Sequence, residues 1–113
     1  EGDNSLFMNY GRIIRASDGT VDRIVEYKDA TEEERAIKEV NVGYYCFDAQ
    51  WLWKNIGLLN DNNAAKEFYI TDLIKIAKDQ GKLVIPYAIE DRKEALGINT
   101  PEQLKMVEEL INE

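Results

Sequence analysis

Ile13-Ile14 and Ile24-Val25 flank Ser17-Asp18-Gly19-Thr20, and these short β-branched runs around an Asp-Gly turn signal are the tightest local constraint on the fold. They predict an antiparallel hairpin over 10–27. The next stop along the chain is Thr31-Glu32-Glu33-Glu34, whose capping-box spacing starts a short helix: a threonine oxygen and a glutamate three residues on satisfy free amides at its first turn. Val40 to Phe47 is apolar, β-branched and aromatic, and is expected as a buried strand. Asp48 then caps a helix with Leu52, Trp53, Ile56 and Leu59 on its inner face, ended by the loop 60–63.

Leu73, Ile74, Ile76 and Ala77 share one face of a helix over 71–80, with Thr71 as its N-cap and Gly81 as a left-handed stop. Residues 82–89 read as a strand. Thr100-Pro101-Glu102-Gln103 joins an N-cap, a proline at the first helical position and a box-closing glutamine, ahead of Leu104, Val107, Leu110 and Ile111. Strands alternating with helices imply a layered α/β fold, and the chain has no internal repeat or low-complexity segment.

Composition narrows the function. At 113 residues the chain makes one small domain, with residues 1–9 an unassigned leader and 10–113 the folded part. A hydrophobic share of 44% with 32% charged residues is that of a soluble globular chain, and no apolar run is long enough to cross a bilayer. With 14 basic and 22 acidic residues the net charge is -8, which disfavours nucleic acid and anionic membranes as partners. An anionic substrate would need local cations or a metal. A lone Cys46 forms no internal disulfide, so a reducing, cytoplasmic setting is the default, and the absence of histidine removes the commonest general base and the usual zinc ligand.

Glu39-Val40-Asn41-Val42-Gly43 carries a carboxylate and a carboxamide inside an apolar strand, and Ile24-Val25-Glu26-Tyr27-Lys28-Asp29 likewise delivers a carboxylate at a strand end. Side by side, two such strands would hold Glu26 and Asn41 over one cleft. A carboxylate that accepts and an amide that both donates and accepts suit the hydroxyls of a sugar. On the residues alone, Glu26 reads more simply as a strand-end carboxylate paired with Lys28 or Arg12 and Asn99 as a turn residue, while Asn41 reads equally as a core amide serving the backbone. Trp51 and Trp53 cannot share a helical face; Trp53 is expected in the core and Trp51 at the surface.

Tyr10-Gly11-Arg12-Ile13-Ile14-Arg15, Ile24-Val25-Glu26-Tyr27-Lys28-Asp29-Ala30, Glu39-Val40-Asn41-Val42-Gly43, Asn62-Asn63-Ala64-Ala65-Lys66-Glu67-Phe68-Tyr69-Ile70-Thr71-Asp72 and Leu96-Gly97-Ile98-Asn99 follow one another at compatible spacing. In that order they resemble the bacterial UDP-N-acetylglucosamine pyrophosphorylases, the N-acetylglucosamine-1-phosphate uridylyltransferase domain of a bifunctional enzyme. The resemblance runs from about residue 10 to the end and covers the second half of that domain.

It implies a partial Rossmann-like nucleotidyltransferase fold, a layered mixed sheet with flanking helices. By the same resemblance the backbone at Gly11 approaches the ligand, Glu26 and Asn41 bind sugar hydroxyls, and Tyr69 and Thr71 line the sugar-phosphate end. Asn99 matches an asparagine that shares magnesium with an aspartate in the absent first half, which also holds the glycine-rich loop. A glycine suits close backbone approach and an amide oxygen suits a hard cation, but one neutral ligand is too few for magnesium.

The expected ligands are UDP-N-acetylglucosamine or N-acetylglucosamine 1-phosphate, and the chain alone is expected to be inactive. An incomplete sheet favours self-association or pairing with the missing half. Ala65-Lys66 stands where the family has a glutamine-glycine pair, placing a cation beside the sugar. The competing readings are a non-catalytic interaction module and a pyrophosphorylase for another sugar 1-phosphate.

Overall fold

The computed structural model describes residues 7–112. They form two compact units: Asn9–Pro86, and a smaller one made of 87–112 with Phe7 and Met8. The leader expected over 1–9 lies largely outside the described residues.

In the larger unit, β1 (Arg12–Arg15) and β2 (Val21–Val25) pair antiparallel, with Ile13 opposite Ile24 and a bulge between Ile14 and Arg15. This is the expected hairpin. Gly19 takes the left-handed conformation at φ 87, and the Asp18 carboxylate accepts the Thr20 amide at 3.0 Å, so both turn residues act as their chemistry requires. Helix α1 (Glu32–Arg35) starts with Thr31 and Glu34 in a full capping box, and α2 (Ala49–Asn55) starts where the Asp48 carboxylate accepts the Trp51 amide at 2.9 Å.

Helix α3 (Asp72–Asp79) packs on β2, and this contact makes the core. Val21, Ile24 and Ala77 are buried there, and Leu73 is 0% exposed. Polar contacts brace the same joint: Lys75 reaches Asp22 at 3.1 Å, and Arg23 bridges Asp22 and Glu34 at 2.9 Å each. Gly81, at φ 73, ends α3 as expected, with the Lys82 amide donating to the Ala77 carbonyl at 2.9 Å.

The expected strand over 40–47 is not formed. Only Val40 bridges β1, opposite Arg12, with the Ile13 amide donating to the Glu39 carbonyl at 3.0 Å and the Asn41 amide to the Gly11 carbonyl at 2.8 Å. Beyond that point the Asn41 side chain accepts the Gly43 amide at 3.2 Å and Gly43 turns at φ 87, so a local side-chain bond replaces the ladder. The expected strand over 82–89 is also absent: Leu83 and Tyr87 are 85% and 89% exposed, and among the described residues the sheet has two strands.

The inner face expected for α2 is corrected as well. The helix stops at Asn55, which is its buried residue, and Trp53 is 72% exposed. Trp51 is the half-buried indole, stacked on Phe47 at 6.1 Å and donating to Gln80 at 2.8 Å; Gln80 in turn donates to Asn55 at 2.6 Å. A polar network reaching the end of α3 therefore chooses which side of α2 turns inward.

In the smaller unit α4 (Pro101–Ile111) begins with the expected capping box of Thr100 and Gln103. Val107 and Leu110 are half-buried, whereas Leu104 and Ile111 are exposed. A 3-10 turn at Arg92–Ala95 sets the Arg92 guanidinium 5.2 Å from the centre of the buried Phe7 ring. The described residues are thus α/β, with helices outnumbering a minimal antiparallel sheet, and no described helix is long and apolar enough to cross a membrane.

Candidate functional site

Glu26 follows directly on β2, in extended conformation at φ -66 and ψ 149, and opens the 3-10 turn Tyr27–Asp29. Its position is held from behind. The Arg35 guanidinium donates to the Tyr27 carbonyl at 2.9 and 3.1 Å and covers the Tyr27 ring at 4.0 Å. Arg12, buried, donates to the Arg35 carbonyl at 3.2 and 3.3 Å.

Two of the residues expected at the site meet Glu26 directly. A β-carbon placed on Gly11 would sit 3.5 Å from one carboxylate oxygen of Glu26, and 3.3 Å from both the Ile24 side chain and the Val25 carbonyl. The Thr71 hydroxyl, from a residue only 4% exposed, donates to the other carboxylate oxygen at 3.1 Å. Thr71 holds the N-cap position of α3 as expected, but its backbone is already helical at φ -61 and ψ -25 and its side chain accepts no helix amide. The hydroxyl instead donates to the Glu26 carboxylate.

Asn41 lies on the other side of Gly11, its backbone amide bonded to the Gly11 carbonyl. Its side chain donates to the Tyr45 hydroxyl at 2.6 Å. Burial pushes the Tyr45 phenol up against the opposing Asn41 hydrogen bond, and the Glu26 carboxylate adds a smaller upward push. Glu26 and Asn41 are therefore not on adjacent strands as expected; the start of β1 runs between them, and Gly11 is their common neighbour. Glu39 of the same motif serves structure, its two oxygens taking the Arg15 guanidinium at 2.7 and 2.9 Å.

Tyr69 is half-buried, and burial first, then the charge and hydrogen bond of Asp29, raises its phenol above the ordinary range. Glu26 and Tyr69 line an open recess of ≈ 480 Å³ together with Asn9, Tyr27, Lys28, Ala65 and Glu67. Asn99 belongs to the smaller unit, where it is exposed just before the N-cap of α4 and its backbone amide donates to Gln103 at 2.6 Å.

Chemically the arrangement suits recognition of an uncharged polyhydroxy group. Glu26 keeps acceptor capacity beyond the Thr71 bond, and Asn41 keeps one N–H beyond the Tyr45 bond. Lys28 supplies a cation at the recess wall. Among the described residues no group of three or more acidic or cysteine side chains could hold a metal ion.

Sequence reasoning missed Tyr45 and Asp29. Tyr45 follows Asn41 by four residues, but the chain between them is neither helix nor strand, so the turn at Gly43 and not a regular period brings the two side chains together. Asp29 stood inside a recognised block without a role, and its partners Ala64 and Tyr69 are far along the chain.

No family model matches the chain. Curated relatives do. The Bifunctional protein GlmU of Brevibacillus brevis is 48% identical over 99 residues, covering 88% of this chain and 22% of the relative. The protein of the same name from Bacillus subtilis is 43% identical over 104 residues, or 92% of this chain and 23% of the relative. That from Limosilactobacillus fermentum is 50% identical over 90 residues, or 80% and 20%. The chain spans about a fifth of the length of the relatives it matches. With such identity along most of its length, this chain belongs to the GlmU family and corresponds to one region of those longer proteins.

Proposed function

We propose that this region carries the sugar-binding side of a nucleotidyltransferase that transfers uridylyl from UTP to N-acetylglucosamine 1-phosphate, releasing pyrophosphate. The arrangement supporting this most directly is Glu26 poised against Gly11 and braced by Thr71, with Asn41 on the far side of the same glycine. In this reading the two side chains take sugar hydroxyls, and Tyr69 and Thr71 border the sugar-phosphate end. The α/β region is then the C-terminal half of a Rossmann-like domain, and the unpaired 82–89 segment pairs with strands of the other half or with a second copy.

The phosphoryl chemistry needs in-line placement and charge neutralisation, for which magnesium serves in the whole protein. In this reading the metal site is completed by the rest of the protein, so the region alone is expected to bind without turnover. The setting is cytoplasmic, and the product feeds peptidoglycan and lipopolysaccharide precursor synthesis.

Calorimetric titration with UDP-N-acetylglucosamine tests the reading. The chain is expected to bind, and Glu26→Gln and Asn41→Ala are each expected to weaken binding about tenfold, the worth of one or two charge-assisted or neutral hydrogen bonds. Absence of heat with the wild-type chain would remove the sugar site and leave an interaction module. A second substrate reading rests on Lys66, an exposed cation between two residues of the recess wall. It favours another sugar 1-phosphate, which a substrate panel on the full-length protein distinguishes.

A further inference from the structure

The wall of the recess opposite Glu26 comes from the loop 63–69, through Ala65, Glu67 and Tyr69. This loop has no secondary structure of its own to hold it. Asn63 closes it internally: its side chain donates to the Glu67 carbonyl at 2.7 Å and accepts the Glu67 amide at 3.2 Å, and its carbonyl accepts the Lys66 amide at 3.2 Å. The closed loop forces Lys66 to φ 55, the one left-handed non-glycine residue among those described. Such a loop is shaped but still needs a fixed point on the scaffold.

Asp29 supplies that point. Its carboxylate accepts the Ala64 backbone amide at 2.8 Å across 35 residues of chain, and its charge adds to the rise of the Tyr69 phenol at the far end of the loop. One side chain at the end of the turn after Glu26 thus holds the loop at its beginning. Because Asp29 and Glu26 belong to one short turn, closed by the Asp29 amide on the Glu26 carbonyl at 3.0 Å, the same element presents the ligand-facing carboxylate and docks the facing wall.

We propose that Asp29 is a positioning residue that sets the width of the recess by docking the 63–69 loop against the turn that carries Glu26. It contacts no ligand atom in this scheme. Its effect on binding passes through the loop backbone, and this part rests on the sugar-site reading above.

The test separates the two claims. Backbone amide exchange, read by NMR on the chain without ligand, is expected to quicken about tenfold or more at Ala64 in Asp29→Ala, with the β1–β2 amides unchanged. Asp29→Asn, which keeps an acceptor oxygen, is expected to restore most of the protection. Unchanged exchange at Ala64 overturns the docking role whatever the ligand result. Should Asp29→Ala fail to fold, Asp29→Ser shortens the side chain beyond reach of the Ala64 amide while keeping it polar, and faster exchange at Ala64 is then the required result.

UDP-N-acetylglucosamine titration completes the test: Asp29→Ala is expected to bind several-fold more weakly and Asp29→Asn close to the wild type. A freed loop with wild-type affinity overturns the positioning role. A wild-type chain that binds nothing overturns the sugar reading, while the exchange data decide the docking on their own.

Discussion

Strand β2 and the segment 82–89 both carry branched apolar residues, and the second is the more apolar. Yet Val21 and Ile24 are buried in a ladder whereas Leu83, Ile85 and Tyr87 face solvent. The difference lies in what each finds beside it. β2 has β1 for its backbone groups and α3 for its side chains; 82–89 has neither among the described residues. Apolar side chains make a strand attractive to bury, but backbone amides and carbonyls decide whether it forms.

Paired truncations give the sharpest version of this contrast. Leu73→Ala, at the fully buried position, is expected to cost about 3 kcal/mol or more in urea denaturation, a large share of a small domain's stability. Leu83→Ala is expected to stay within about 0.5 kcal/mol. A cost at Leu83 approaching that at Leu73 would mean that 82–89 is packed in solution and would break the comparison.

Next in size is Thr71→Val, which keeps the shape of the core joint and removes the hydroxyl serving Glu26. A loss of about 1–3 kcal/mol is expected by the same denaturation, with α3 intact by circular dichroism because that hydroxyl caps no helix amide. Lys66→Gly goes the other way: relief of the left-handed backbone is expected to stabilise the chain by about 1 kcal/mol.

The smallest effect is on acid sensitivity at the β2–α3 joint. Hydrogen bonds from Arg23, then Lys75, hold the Asp22 carboxyl below its usual range, so the folded chain binds that proton less readily than the unfolded one. Its contribution is complete above the unfolded value of about 3.9 and fades as pH falls through the lower folded value. Asp22→Asn is expected to flatten the stability profile below about pH 4, and equal slopes for both proteins would deny the joint its polar share.

What could be read in advance divides along the same line. The starts at Thr31, Asp48 and Thr100 and the stop at Gly81 were legible because caps are settled within a few residues. The strands over 40–47 and 82–89 were misjudged because a ladder needs a partner that apolar character does not name. Asn41 illustrates the competition: the amide that marked the site also bends the chain at Gly43 and ends the pairing. Trp51 and Trp53 were exchanged because the inward side of α2 is chosen by Gln80, a residue from α3's end. At the site, Glu26, Asn41 and Gly11 were legible as types and as neighbours, whereas the intervening strand and the anchoring of Thr71 and Tyr69 came only with tertiary contacts.

Gly11 deserves a final consequence. A single extra carbon there would meet the second strand's Ile24 and Val25 and the Glu26 carboxylate at once. The pressure falls on Ile24 and the Val25 carbonyl at 3.3 Å, while the carboxylate at 3.5 Å is only touched, so a small substitution at residue 11 is felt first by the hairpin and reaches the acidic group through it.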